Sequence, residues 1–232
     1  MIKAMKGIET ITNFSTFCDA LRRVGFTQGG SDNTVCSLAR YFDPCIQWHT
    51  GDADTDPWEW RIRAVTECEG LAYGKVFFKK SGWITKEWYP YFLAVRRQGK
   101  TFDELYADGH VTHMEKRIYD AIRENIRLPY FEIKERMGCS KEDRARFDSA
   151  LTKLQSKLLI TICDKAYKLS KTGEPYGWAC TVFCTVEDFL GGNCLEDSCK
   201  IDPDKAFSKI MDHILVINPK VDAKLASKFI KG

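Results

Sequence analysis

At 232 residues the chain has the length to bury a sizeable core, as one large domain or two small ones. Its 44% hydrophobic and 29% charged residues are ordinary for a soluble globular protein, and a net charge of +3 permits nucleic-acid binding without arguing for it. No apolar run approaches the ~20 residues that cross a bilayer, and no apolar leader opens the chain, so no membrane is involved and a cytoplasmic location is expected. The ten cysteines are scattered without a CxxC pair and read as reduced thiols. Cys180, Cys184, Cys194 and Cys199 fit no zinc spacing, so no metal and no cofactor is expected.

In chain order, residues 11–24 predict an amphipathic helix with Phe14, Phe17, Cys18, Leu21 and Val24 on one face. Residues 25–30 read as a loop, and Ser31 to Arg40 as a second short helix. After the acidic turn 51–56, Asp56 is placed to cap a helix that starts at Pro57. Ala72 to Phe78 reads as strand or helix, Lys79-Lys80-Ser81-Gly82 as a basic turn, and Thr85 as the cap of a helix through Trp88, Tyr91, Phe92 and Val95. Residues 98–108 read as a polar linking segment ahead of a helix at 114–125. His110 and His113 have the i, i+3 spacing of a metal pair, but no third ligand is near and they read as surface residues.

From Tyr130 to Phe189 the order is that of a winged helix. Phe131, Ile133 and Met137 suggest a short helix closed by Gly138, and Ser140 with Asp143 opens a second as a capping box. Phe147, Leu151, Leu154 and Leu158 then share one helical face. The period changes at 159–163 and again at 178–184, two strand-like runs around the turn chemistry of 170–175, with Lys165, Lys168 and Lys171 in a basic loop. Glu142 and Asp143 in the first turn of the second helix would meet a major groove badly. That leaves backbone contact through Arg144, Arg146, Lys153, Lys168 and Lys171, or a structural role. Pro203 opens a helix through Ala206, Ile210, Ile214 and Ile217, Pro219 ends it, and a short helix closes the chain. The fold class expected is mainly α with small β-hairpins (α+β), as tandem winged-helix-like units. Residues 1–108 would form the first unit, 109–190 the winged helix and 191–232 a helical extension.

Between Pro57 and Lys100 nine Lys or Arg face four acids. Basic residues interleaved with Trp and Tyr are what a phosphate-tracking, base-stacking surface needs, although most of these Trp read equally as core. The candidate DNA contacts here are Trp58, Arg61, Lys79, Lys80, Lys86, Arg96 and Arg97.

Gln47-Trp48-His49 followed by Trp58-Glu59-Trp60-Arg61 resembles the QxQ or QxD motif and downstream tryptophan-arginine of the AlkZ/YcaQ family, bacterial DNA glycosylases built from tandem winged helices. Val76 to Ile84 with Trp88-Tyr89-Pro90-Tyr91-Phe92 is similar to that family's aromatic-rich stretch. The order of 130–189 and the closing Leu225 to Phe229 is similar to its later parts. The resemblance implies double-stranded DNA as partner and hydrolysis of the N-glycosidic bond of an alkylated base. Gln47 would be the water-positioning residue, since an amide can orient water without becoming charged. His49 stands where the family has glutamine or aspartate and is the second candidate catalytic residue. A DNA-binding protein without catalysis, and a regulatory or protein-interaction module with unidentified partners, remain the alternatives.

Overall fold

The computed structural model describes residues 8–30, 35–191 and 193–232, so part of the helix expected at 31–40 lies outside them. Helix α1 (Phe14–Val24) begins where Asn13 and Thr16 exchange bonds in a capping box, and its apolar face is buried. Gly25, at φ 84°, turns the chain directly into strand β1 (Phe26–Gln28), not into a loop. Residues 38–41 then form one 3-10 turn. Asp56 caps α2 (Pro57–Glu67) with proline in the first turn, as expected.

The ambiguous stretch after it is strand β2 (Leu71–Phe77). It is joined to β3 (Lys80–Thr85) through Phe78 and Lys79, both with positive φ, as a two-residue hairpin of this hand requires. Thr85 belongs to the end of β3 and does not cap. Helix α3 (Tyr89–Arg97) starts at Trp88 without a side-chain cap, helped by Pro90. The supposed linker contains α4 (Phe102–Ala107), opened by a Thr101–Glu104 capping box and anchored by buried Phe102 and Leu105.

The next stretch follows the expected order. Helix α5 (His113–Asn125) leads to β4 (Arg127–Pro129), α6 (Tyr130–Arg136) and α7 (Arg144–Ser156). Ser140 and Asp143 bond each other's backbone N–H reciprocally just before α7. Phe147, Leu151, Leu154 and Leu158 are buried, and β5 (Ile160–Leu169) pairs antiparallel with β6 (Pro175–Thr185). Helices α8 (Val186–Leu190), α9 (Asn193–Cys199), α10 (Pro203–Ile217) and α11 (Ala223–Lys231) complete the chain. About 50% of the fold is helical and 20% strand, an α+β protein.

One antiparallel sheet in the order β1-β3-β2-β5-β6-β4 runs through the stretches 1–108 and 109–190, over a continuous apolar core. The element order helix, strand, helical turn or helix, helix, hairpin occurs twice: α1 to β3, and α5 to β6. In each case the first strand pairs with the last, β1 with β3 and β4 with β6. In the sheet the two halves join at its centre at the Tyr73–Ile162 pair. Side chains reinforce that seam: Gln155 Oε1 accepts from Lys75 N at 2.9 Å, and Thr161 Oγ1 donates to Tyr73 O at 3.0 Å.

Candidate nucleic-acid interface

Among the described residues, neither β5 beyond Ile162 nor β6 before Val182 has a partner on its outer side, so residues 164–181 form a two-stranded arm. The arm carries Tyr167, Leu169, Tyr176 and Trp178, all exposed, and Trp178 is 96% accessible. An indole so exposed has no packing role in the free chain; singly it is unremarkable, but four large apolar side chains on one ribbon mark a contact surface.

A cleft lies on each side of the arm. The first, of about 820 Å³, is walled by the α6–α7 turn and includes Tyr130, Phe131, Lys134, Arg144, Lys168 and Trp178. The Lys168 ammonium sits 5.6 Å from the centroid of the Phe131 ring. The second, of about 830 Å³, is walled by α2 and the β2–β3 hairpin and includes Trp58, Arg61, Tyr73, Lys75, Lys165 and Tyr167. In it the Arg61 guanidinium lies over the Trp58 ring at 3.2 Å and its Nε donates to Trp58 O at 2.6 Å. Burial pushes the Tyr73 phenol above its usual pKa, against the opposing pull of nearby Ser81 and Arg61. Trp178 lines both clefts.

The sequence-derived contacts divide accordingly. Trp58, Arg61, Arg144 and Lys168 belong to the clefts. Lys171 is exposed near the arm's tip, and Arg146 and Lys153 are exposed on α7. Lys79, Lys80 and Lys86 are exposed but line neither cleft. Arg96 and Arg97 are corrections, because both point inward. The Arg96 guanidinium donates to four backbone carbonyls, of Val76, Ser156, Phe229 and Ile230, at 2.8–2.9 Å. Burial pulls its pKa down to about 9, which still leaves it protonated at neutral pH. Arg97 is 1% exposed and pairs with Glu187 at 2.7 Å. Of the four tryptophans between 57 and 100, Trp60 and Trp83 are core, Trp88 is half-buried and Trp58 is exposed.

Gln47 and His49 are both exposed and line neither cleft. Their loop is nevertheless fixed. Buried Asp56 accepts backbone N–H bonds from His49, Thr50, Gly51 and Trp58 at 2.8–3.1 Å. Burial opposes the charge on Asp56, but these four donors outweigh it and hold its pKa below the ordinary carboxylate value. His49 takes a positive φ of 64°, and its ring lies 4.8 Å from Trp58, at the second cleft's rim.

The sequence patterns did not mark Glu59, Tyr73, Tyr167 and Trp178 as contact residues; they counted Lys75 among the charges of 57–100 and placed Lys165 in the basic loop without giving either a contact. The available signal was alternation in Lys165-Ala166-Tyr167-Lys168 facing Tyr176-Gly177-Trp178, polar and aromatic on both faces where a packed hairpin would show one apolar face.

Fold and clefts together define an α+β protein with a repeated helix–helix–hairpin order and a basic, aromatic surface. The AlkZ-related family model matches residues 11–231, and the chain belongs to that family. This supports kinship with DNA-repair glycosylases. No curated protein and no solved structure matches the chain. Among the described residues no helix is long and apolar enough to cross a membrane, and no group of three or more His, Cys, Asp or Glu is arranged to hold a metal.

Proposed function

We propose that this protein binds double-stranded DNA, its two halves acting as tandem winged-helix-like units and its β5–β6 arm as the central contact. One observation carries the reading: an arm with an almost fully exposed tryptophan stands between two clefts that combine cations with aromatic faces. Lys and Arg neutralise phosphates, aromatic rings stack on unpaired or splayed bases, and a two-stranded ribbon has the width of a major groove. Affinity is then set mainly by the backbone and tolerates any sequence.

Fluorescence anisotropy with a mixed-sequence duplex tests it. Binding should weaken steeply between 50 and 200 mM salt, and Lys75→Ala with Lys165→Ala should lower the slope of log affinity against log salt by about 2. Absence of binding at low salt, or binding indifferent to salt, refutes the proposal.

Family membership and the rigid Gln47–His49 loop beside Trp58 favour a second reading, hydrolysis of the N-glycosidic bond of an alkylated base. On this reading Gln47 positions the water, and the bound DNA supplies the wall that the free chain lacks. Alkylated duplex, incubated and then treated with alkali, should show strand breaks with the wild type and not with Gln47→Ala. Equal cleavage by both proteins removes Gln47 from the chemistry, and none by either leaves binding alone.

A further inference from the structure

Helices α1 and α2 meet at a pair of thiols that neither cleft includes. The Cys18 and Cys68 sulfurs lie 3.2 Å apart, although the two residues are 50 positions apart in the chain. Both backbones are held in place. Cys18 sits on the buried face of α1, which packs on α2 through the Phe17–Trp60 stack at 5.0 Å, with the Arg63 guanidinium 4.0 Å from the Phe14 ring centroid. Cys68 ends α2 and is followed by Gly70, whose φ of 80° turns the chain into β2. A thiol is a weak donor and a weak acceptor, so this contact contributes little as a hydrogen bond. Its other capacity is covalent, since an S–S bond of about 2.05 Å requires the sulfurs to close by only about 1 Å.

The two thiols differ in access. Cys18 is 3% exposed, whereas Cys68 is half-buried in a turn whose neighbours Thr66, Glu67 and Glu69 are exposed. Burial, and then the contact with Cys68, push the Cys18 thiol above its ordinary pKa, which keeps it from reacting first. A reagent arriving from solvent therefore meets Cys68, and Cys18 stands behind it as the resolving thiol. The closing movement falls to the exposed turn at 68–70, because Cys18 is fixed in the core.

We propose that Cys18 and Cys68 form a redox-sensitive modification site, which a small-molecule disulfide converts to an intramolecular bond joining α1 to the end of α2. The Cys68 thiolate attacks one sulfur of the small disulfide, whose S–S bond breaks and releases one thiolate. The Cys18 sulfur, having given up its proton, then attacks the Cys68 sulfur; the mixed disulfide breaks and the second thiolate leaves. The two protein thiols lose two electrons to the small disulfide, and their two protons end on the two released thiols. The product closes a loop of 50 residues that holds β1, the Gln47–His49 loop and α2. It constrains the unfolded chain and so stabilises the folded one.

The experiment equilibrates the whole chain with glutathione disulfide or with dithiothreitol, measures Tm, and maps cysteine linkages by mass spectrometry of unreduced digests. The oxidised protein should yield the Cys18 peptide joined to the Cys68 peptide, with Tm raised by about 6 °C. Dithiothreitol should reverse both. Cys68→Ser should lose the linkage and the rise, whereas Cys45→Ser with Cys199→Ser, which removes the two exposed thiols, should keep them. Cys163 and Cys184, which also bond each other but are both buried, should stay reduced. A Cys68 that stops at the glutathione adduct, or a Cys163–Cys184 linkage formed in its place, overturns the proposal. So does an oxidised Tm within about 1 °C of the reduced one, or a rise that survives Cys68→Ser.

Discussion

Arg96→Met separates the structural account of this side chain from the DNA-contacting role its sequence position suggests. The guanidinium bonds the carbonyls of Ser156 at the end of α7 and of Phe229 and Ile230 near the end of α11, together with Val76 in β2. Carbonyls in a helix's last turn have no partner within the helix and carry its negative pole, so a single cation satisfies two helix ends at once. Four charge-assisted bonds at about 1.5 kcal/mol each would give about 6 kcal/mol if they added. Relief of the cost of burying the charge, and water reaching the freed carbonyls, reduce this to about 3–5 kcal/mol. For a chain of 232 residues each kcal/mol moves Tm by about 2 °C, so the variant should melt about 6–10 °C lower. Arg96→Lys, with one ammonium to share among four acceptors, should fall between. DNA affinity of the folded variant, measured well below its Tm, should be unchanged. A Tm within 2 °C of wild type, or a fall in DNA affinity without a fall in Tm, would refute the reasoning.

Two further substitutions test the scaffold. At Gly82 a Cβ would lie 2.5 Å from Phe77 Cδ2 and 2.7 Å from the backbone oxygen of Thr27, so Gly82→Ala should lose about 3 kcal/mol in urea unfolding; a loss below about 1 kcal/mol would mean that β1 is free to shift. Asp56→Asn keeps the shape but turns one of two acceptor oxygens into a donor facing N–H groups, and should lose about 2 kcal/mol at pH 7. Because the folded pKa of Asp56 is depressed, its contribution is fully present above the ordinary carboxylate value and is lost as pH falls through the folded value. The gap between wild type and variant should therefore close in acid, and a gap constant from pH 7 to pH 3 would argue against the four-donor arrangement as its source.

The elements legible in the sequence were those with local causes. Asp56–Pro57 and Ser140–Asp143 announce helix starts within four residues, and the leucine spacing of α7 needs no partner to be read. Strand β1 is three residues long, too short to show alternation, and exists because β3 lies beside it. Helix α4 had its Thr101–Glu104 capping box in plain view, but with only two buried apolar residues it passed as linker. Arg96 and Arg97 misled for a different reason. A charged residue at a helix end defaults to solvent, and the acceptors that draw Arg96 inward are as far as 134 residues away in the chain. The same distance in sequence hides the second cleft, which joins residues of α2, the first hairpin and the arm. Gln47 and His49 were visible as a motif; the buried carboxylate that shapes their loop was visible only as a helix cap.

The arm's lysines bear on colloidal behaviour as well as on phosphates. Beyond Ile162 and Val182 both edges of the ribbon offer unpaired backbone groups beside exposed Tyr167, Leu169, Tyr176 and Trp178, which is a template for a neighbouring copy to add a strand. Lys165, Lys168 and Lys171 outnumber Asp164 and Glu174 along that template by one charge, and two arms of the same sign resist bringing their backbones together. Salt screens this repulsion over the same range in which it would weaken the proposed hold on DNA. On the proposed DNA reading, neutralising the arm would lower affinity and solubility together, and a lysine-depleted arm that fails to hold DNA should be passed through a sizing column before the failure is ascribed to missing phosphate contacts.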